Sequence, residues 1–209
     1  MKAVAINGSP HKDGNTAFAL QQIGNSLKEE GIDFEIAHIG HKAVHGCIDC
    51  ANCIRNANGK CASFDDDVNE VLPLMYDADA LLIGSPVYYS GVAGTMKCFL
   101  DRAFFVASVN KGRFRHKVGA SVAAVRRSGG MTTFDTLNHY FLISEMIIAG
   151  SSYWNVIHGR KAGEAAQDHE GVQTMKTLGK NIAWILKMKG AANQSEPQAE
   201  PKIYTNFIR

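Results

Sequence analysis

Four of the five cysteines in this 209-residue chain lie in one short segment, GCIDCANCIRNANGKC, which begins at residue 46. Cys47, Cys50 and Cys53 are separated by two residues each, and seven residues separate Cys53 from Cys61. In a reducing compartment, cysteines clustered in this way bind metal or carry out redox chemistry more often than they form disulfide bridges. The segment therefore predicts a metal or redox site on a loop, and we call residues 46–64 the cysteine loop.

A second segment, GSPHKDGNT at residues 8–16, combines glycines with short polar side chains. It lies between an apolar run and a stretch with helical spacing of apolar residues, so it predicts a strand, a tight loop and a helix. Free N–H groups at a helix start attract anions, and Ser9, Asn15 and Thr16 add polar side chains there. The loop therefore predicts a phosphate site, although Asn15 stands where a Walker A loop requires lysine. Helix capping alone is the ordinary alternative.

Two further segments follow other predicted strands and carry aromatic and cationic side chains. GSPVYYSGVAG sets Tyr88 and Tyr89 among glycines, and VRRSGG places Arg126 and Arg127 beside a pair of glycines. Together with the phosphate loop they predict a flat aromatic ligand that carries an anionic group. Two alternatives stay open, because the tyrosines could cover the edge of the core and the arginines could form a solvated turn.

The order of predicted elements shows how these segments meet. Strands are predicted at residues 2–7, 33–39, 79–86, 117–125 and 151–159, with helices between them. Parallel strands need crossover connections, so the alternation predicts an α/β fold: a three-layer sandwich around a five-stranded parallel sheet of order 2-1-3-4-5. Such sheets bind ligands where the strand order reverses, which here lies beyond the ends of strands 1 and 3.

Composition and charge argue against several classes of protein. With 45% hydrophobic and 20% charged residues, the chain can bury a core of its own. The formal net charge of +2, without a long run of Lys or Arg, gives no indication of nucleic-acid binding. The N-terminal apolar stretch is too short for a signal peptide and later apolar stretches are interrupted, so we expect no membrane span and a cytoplasmic protein.

The C-terminal residues differ in character from the rest of the chain. Residues 1–189 are predicted to form one domain, and residues 190–209 a polar linker with two prolines and an apolar arm. Ile203, Phe207 and Ile208 would expose a large apolar surface to water, so we expect the arm to contact a second copy of the chain. A disordered tail is the alternative.

These motifs resemble those of the flavodoxin-like NAD(P)H-dependent FMN reductases and, more narrowly, of the iron–sulfur flavoproteins. The resemblance rests on GSPHKDGNT, on the cysteine loop with the three aspartates that follow, on GSPVYYSGVAGTMKCFLDR, and on KVGASVAAVRRSGG with the later Tyr153 and Trp154. It spans most of the chain. It implies a flavodoxin-like fold, bound FMN, NAD(P)H as electron donor, a small acceptor such as a quinone or flavin, and a homodimer or homotetramer.

The resemblance also implies roles for individual residues. The first loop would hold the FMN phosphate, the second would lie along the isoalloxazine ring, and the third would close over the ring. In that order the residues are Ser9, His11, Gly14, Asn15 and Thr16; Pro86, Val87, Tyr88, Tyr89 and Gly91; and Arg126, Arg127, Ser128, Gly129 and Gly130. Because the redox chemistry resides in the cofactor, no catalytic side chain is predicted.

For the cysteine loop, the resemblance implies a [4Fe–4S] cluster bound by Cys47, Cys50, Cys53 and Cys61, with structural zinc and free thiols as alternatives. Cys98 lies in an apolar helical stripe and is interpreted as part of the core. Three classes of function stay open: an FMN-dependent NAD(P)H oxidoreductase, an electron carrier that works with ferredoxin-like proteins, and a flavin-bound regulatory module without turnover.

Overall fold

The structure is a computed structural model, and it describes residues 1–205 and 207. The strands are β1 (Lys2–Asn7), β2 (Asp33–His38), β3 (Ala80–Tyr88), β4 (Gly91–Val92), β5 (Val118–Val125), β6 (Ile147–Ile148) and β7 (Val156–His158). The helices are α1 (Asn15–Glu29), α2 (Asn52–Asn56), α3 (Val68–Asp77), α4 (Gly94–Val109), α5 (Gly130–Ile143) and α6 (His169–Ala191), and a 3-10 helix (Glu164–Gln167) precedes α6.

The central sheet confirms the predicted α/β fold and strand order. Its strands run in the order β2-β1-β3-β5, all parallel, and β6 and β7 both pair with the far side of β5. Val118 of β5 pairs with Ile147, and Ala123 of β5 pairs with Val156, so the fifth position holds two short strands end to end.

The predicted fifth strand was therefore too long at its start. Ser151 Oγ lies 2.5 Å from the carbonyl oxygen of Tyr153 and 2.7 Å from Asn155 Oδ1, and these two acceptors share its one hydroxyl proton. Local side-chain hydrogen bonds of this kind give the backbone an alternative to strand pairing. The bonds hold the segment before β7 in a turn instead of extending the strand.

A β-hairpin that the sequence did not predict follows β3. β4 pairs antiparallel with the end of β3, and the two central residues of the turn, Tyr89 and Ser90, have φ values of 48° and 59°. Two-residue hairpin turns with positive φ at both positions usually carry Asn or Gly. The turn has neither, so its sequence gave no hairpin signal, and the Tyr89 side chain is fully exposed.

Two hydrophobic cores lie on opposite faces of the sheet and make the three layers. Val4 and Ile6 of β1 face α3, α4 and α5, whereas Ala3 and Ala5 face α1 and α6. The alternation follows from the two-residue period of a strand. The helices of the second face pack closely, because a Cβ at Gly179 of α6 would lie 2.7 Å from the carbonyl oxygen of Ile23 in α1.

The segment after α6 has no regular secondary structure among its described residues. Glu196 pairs with His116 and Lys189, while the side chains of Ile203 and Phe207 are 96% and 92% exposed. Ile208, the third apolar residue of the predicted arm, lies outside the described residues. Contact of the arm with a second copy stays a prediction. Within the described part of the chain, no helix combines the length and apolarity that a membrane crossing requires.

Candidate functional site

An open cleft lies at the carboxyl ends of β1, β3, β5 and β7, where the reversal of strand order predicted a ligand site. Its lining includes nine of the predicted residues: Ser9, His11, Gly14, Asn15, Thr16, Pro86, Val87, Tyr88 and Arg126. The sequence missed four lining residues: Ala124, Gly159, Arg160 and Ala162. The structure thus brings the first loop, the second loop and one arginine of the third loop together.

The N-terminus of α1 offers unpaired backbone donors to this cleft. The first bond of the helix runs from Phe18 N–H to Gly14 O, so the N–H groups of residues 15–17 have no partner within the helix. Gly14 is the N-cap residue and supplies no side-chain cap, and no acidic residue lies in the first turn. Free N–H groups and the helix dipole both favour an anion at this position.

The loop before α1 is held in one shape by its own hydrogen bonds. Ser9 N–H donates to Asn7 Oδ1 at 3.0 Å, and His11 N–H donates to Ser9 Oγ at 3.2 Å. The ring of His38 hydrogen-bonds to the carbonyl of Ser9 at 2.7 Å. Neighbouring backbone packs so closely that a Cβ at Gly40 would lie 2.1 Å from the Ser9 carbonyl oxygen. A loop fixed in this way needs little ordering when it binds a ligand.

Asn15 is oriented by a contact that spans most of the chain. Its Oδ1 accepts a hydrogen bond from Ala165 N–H at 3.2 Å. The Nδ2 group therefore remains as the donor of this side chain. A Cβ at Gly159 would lie 2.7 Å from Nδ2, so a side chain at that position would displace the amide. Thr16 is buried beside it, with its methyl group against Gly84.

The opposite wall of the cleft is the β3–β4 hairpin. Ser85 Oγ accepts from Ala93 N–H at 3.0 Å and donates to Pro86 O at 2.8 Å, which ties the two ends of the hairpin together. Tyr88 is 46% exposed at the cleft. The hairpin thus presents an aromatic and apolar surface opposite the polar helix start.

The remaining predicted residues lie outside the cleft lining. They are Tyr89, Gly91, Arg127, Ser128, Gly129 and Gly130. Gly129 has a φ of 86°, and a Cβ there would lie 2.9 Å from Ser90 Cα. The glycine thus lets the loop after β5 pack against the hairpin turn.

Two arginines bring positive charge to the cleft. Arg126 follows β5 and Arg160 follows β7, and within residues 1–205 and 207 neither guanidinium has an ion-pair or hydrogen-bond partner. The backbone of Arg160 is held by its N–H, which donates to Glu164 Oε2 at 2.7 Å. The sequence held a signal for Arg160, since it stands just after the last predicted strand and so at the same edge of the sheet.

The cysteine loop forms a second candidate site on α4. Cys47, Cys50, Cys53 and Cys61 all line one cavity of about 20 Å³, together with the aromatic rings of Phe64 and Phe105. A cavity of this size holds about one water molecule. Four cysteines that are up to fourteen positions apart in sequence therefore border a single small space.

Hydrogen bonds fix the backbone and thiols of this loop. Asn69 exchanges two hydrogen bonds with the backbone of Cys61, at 2.9 and 2.7 Å. A hydrogen bond with Ser63 lowers the pKa of the Cys50 thiol, whereas burial raises the pKa of Cys53. Three residues without glycine's freedom have left-handed φ in the loop: Asp49, Ala51 and Ala57, at 51°, 57° and 46°. Left-handed backbone at such residues is strained, and strain of this kind clusters at functional sites.

Arg102 of α4 lines the side of the cavity that faces the protein interior. It is 1% exposed, and its guanidinium donates to Asp66 Oδ2 at 2.5 Å and to Cys61 Sγ at 3.2 and 3.3 Å. Burial alone would lower the pKa of Arg102, but its bonds to Asp66 and Cys61 keep that pKa above the usual value. Among the residues that the structure describes, no group of three or more His, Cys, Asp or Glu is arranged to hold a single metal ion.

Known proteins resemble this chain over most of its length, including the sheet-edge cleft and the cysteine loop. Residues 1–161 match the NADPH-dependent FMN reductase family. An iron–sulfur flavoprotein of Methanocaldococcus jannaschii is 36% identical over 196 residues, covering 90% of this chain and 98% of that protein. One of Archaeoglobus fulgidus is 32% identical over 199 residues, covering 90% of this chain and 96% of that protein.

Two solved structures support the fold. The Trp repressor binding protein from Bacillus subtilis superposes with a TM-score of 0.63 at 17% identity, covering 84% of this chain and 96% of that chain. A solved flavodoxin from the domain Archaea superposes with a TM-score of 0.59 at 18% identity, covering 90% of this chain and 99% of that chain. The chain therefore has a flavodoxin-like fold, belongs to the NADPH-dependent FMN reductase family, and is an FMN-dependent oxidoreductase.

Proposed function

We propose that this protein takes electrons from NAD(P)H and passes them through bound FMN to a small acceptor such as a quinone or free flavin. The observation that carries the proposal is the cleft at the sheet edge, where unpaired helix N–H groups and two unpaired arginines face an aromatic hairpin. That combination fits a ligand with a phosphate at one end and a flat ring at the other.

Different residues of the cleft would bind the phosphate and the ring of FMN. The N–H groups of Asn15 and Thr16, with Arg160, would bind the phosphate, since Asn15 and Thr16 begin α1 and Arg160 follows Gly159, which packs against Asn15 at the same cleft. Pro86 and Tyr88 would lie along the ring, because they form the opposite wall. Bound FMN supplies the hydride and electron chemistry, and the protein supplies orientation, exclusion of water and charge. Arg126 would place positive charge near the ring, where it favours an anionic form.

A cofactor analysis combined with turnover tests this proposal. We expect the purified protein to be yellow and to release FMN on heating, and we expect NADH or NADPH to reduce a quinone in its presence. Arg160→Gln should weaken FMN binding, while Lys161→Gln, the same change at an exposed neighbour, should not. Release of FAD, or no flavin after reconstitution, would contradict the proposal.

A second candidate function is an electron carrier that contains a [4Fe–4S] cluster and exchanges electrons with ferredoxin-like proteins. Its support is the cavity that all four loop cysteines share. Each thiolate of such a cluster binds a different iron, so the four sulfur atoms need not converge on one point. Both curated relatives described above are named iron–sulfur flavoproteins. The donor set fits the cluster, and the small cavity means that the loop must open to receive it.

Single substitutions test the cluster directly. Replacing any one of the four loop cysteines by Ala should lower bound iron and sulfide in anaerobically reconstituted protein. Cys98→Ala is the matched control, because Cys98 packs against the core beside Gly46 and does not line the cavity. Wild-type protein that takes up neither iron nor sulfide would leave the cysteines as free thiols and favour the oxidoreductase with small acceptors.

We also propose that the chain assembles as a homodimer or homotetramer. Support comes from apolar residues that the monomer leaves exposed: Leu142 and Ile143 of α5 are 61% and 75% exposed, and Ile203 and Phe207 of the arm are more so. Exposed apolar surface of this extent often marks a subunit contact.

A further inference from the structure

We propose that Arg102 is the residue that positions Cys61 and tunes the reduction potential of the four-cysteine site. This inference rests on the proposed cluster, and it concerns a residue that does not itself bind iron. Arg102 donates two N–H groups to the Cys61 sulfur atom, from Nε at 3.3 Å and from Nη2 at 3.2 Å. A bidentate approach of this kind uses the planar fork that distinguishes arginine from lysine.

The guanidinium is fixed on every side. Its Nη1 donates to Asp66 Oδ2 at 2.5 Å and to the His45 carbonyl at 3.2 Å, and the ring of Phe64 lies 5.1 Å below it. The side chain is fully buried, which is rare for arginine unless it is paired. All of these partners belong to the C-terminal part of the cysteine loop or to the segments at its two ends, so one helix residue joins the two ends of the loop.

Charge explains why the contact with sulfur matters. Asp66 is 6% exposed in its side chain and balances the charge of Arg102, so the pair brings no net charge to the cavity. Of the three N–H groups on Nε and Nη2, two donate to Cys61 Sγ. Hydrogen bonds to a thiolate ligand draw electron density from it and raise the reduction potential of the metal site.

Position in the sequence explains why Cys61 needs such a partner. The first three cysteines are two residues apart, so a short stretch of backbone sets their spacing, whereas Cys61 follows after seven residues. Its place is set by contacts with other parts of the chain, namely Asn69 on its backbone and Arg102 on its sulfur. Arg102 therefore keeps the fourth thiolate in place while the part of the loop that carries the other three cysteines opens to receive iron.

The experiment compares anaerobically reconstituted wild-type protein with Arg102→Lys, Arg102→Met, the double variant Arg102→Met/Asp66→Asn, and Arg55→Met. Arg55 is the matched control, because it lies in the same loop and donates to the carbonyl of Cys50, not to a thiol. The readouts are iron and sulfide per chain, the midpoint potential from a redox titration, and FMN content. FMN content reports folding, since the FMN cleft contains none of these residues.

We expect Arg102→Met and the double variant to bind less iron and to shift the midpoint potential to more negative values. Arg102→Lys should fall between them and wild type, and Arg55→Met, which removes a positive charge but no hydrogen bond to sulfur, should keep the iron content of wild type and shift the potential less than Arg102→Met does. Arg102→Met would leave the Asp66 carboxylate buried and unpaired, and the double variant removes that carboxylate. If Arg102→Met loses FMN and so fails to fold, the double variant still tests the effect of Arg102 on iron content and midpoint potential.

Iron content and potential equal to wild type in the double variant and in Arg102→Lys would overturn the role of Arg102 and leave the cluster standing. Wild-type protein that binds FMN but no iron would overturn the cluster and this role together. The two failures are therefore distinguishable.

Discussion

Replacing Asn15 by Asp should abolish tight FMN binding without weakening the fold. The structure divides the side chain into two functions: Oδ1 accepts from the buried Ala165 N–H, and Nδ2 is the free donor beside the cleft. A carboxylate keeps the acceptor and replaces the donor by a negative oxygen. At the start of α1, that charge is also favourable to the helix dipole in the absence of ligand.

The magnitude follows from two terms. Losing a hydrogen bond to a charged phosphate costs about 1.5–3 kcal/mol. Two like charges about 4 Å apart near a protein surface repel by up to about 4 kcal/mol. Since about 1.4 kcal/mol is a factor of ten in affinity, Asn15→Asp should raise the dissociation constant of FMN by about 100-fold or more.

Asn15→Ala should weaken FMN binding less than Asn15→Asp does, but it should destabilise the fold more. It also removes the donor, so FMN binding weakens by about tenfold or more, but without added repulsion. It removes the acceptor as well and leaves the Ala165 N–H buried without a partner, which should lower the free energy of unfolding by about 1–3 kcal/mol. Asparagine to alanine is thus the more destabilising change, and asparagine to aspartate the more damaging one for the ligand.

The assay is a titration of apoprotein with FMN, followed by fluorescence quenching, with urea unfolding of each apoprotein beside it. Asn25→Asp is the control, because Asn25 is an exposed residue of the same helix, where it accepts from Gln21 Nε2. The reasoning fails if Asn15→Asp binds FMN as wild type does, or if Asn15→Ala unfolds at the same urea concentration as wild type.

Three other predictions test the fold around the sites. Deleting the residues after Gly190 should lower the number of chains per particle, measured by light scattering. An unchanged number of chains with unchanged stability would favour a free tail. Gly129→Ala should lower the free energy of unfolding by about 1–2 kcal/mol or more through its left-handed φ and its clash with the hairpin, whereas Gly112→Ala, with φ of 59° and open space, should cost less. Burial alone would raise the pKa of Asp168, but the N–H donors of Gly171 and His158 hold it below the usual value; its contribution to stability is therefore present above about pH 4 and lost below. Chemical unfolding should show Asp168→Ala about 1 kcal/mol less stable at pH 7, with the gap narrowing as pH falls below 4.

Most of the fold could be predicted because its long elements carry their own signals. Leu20, Ile23 and Leu27 recur at helical spacing in α1, and all three are completely buried. The β3–β4 hairpin could not be predicted in the same way, because its turn residues are Tyr89 and Ser90, which carry no hairpin signal.

The candidate sites could be predicted in part, and the limit was the distance along the chain. Ser9, Asn15 and Thr16 lie in one loop whose residue types suggest an anion. The contact that orients Asn15 comes from Ala165, 150 residues away, and the contact on Cys61 comes from Arg102, 41 residues away. Contacts between residues so far apart leave no pattern in the local sequence. They can be identified only when the fold has brought the two segments together.

The two candidate sites are attached to one helix, and this determines which part of the protein has to move. α4 begins at Gly94, directly after the hairpin that forms one wall of the cleft, and carries Arg102 about 12 Å further along its axis. Phe99, Leu100 and Ala103 of this helix are completely buried, so α4 cannot shift without opening the core. The cysteine loop has a strained backbone, and its cavity is too small for four iron atoms. If the proposed cluster is loaded, we therefore expect the loop to be displaced and not the helix, which would leave the cleft at the sheet edge intact.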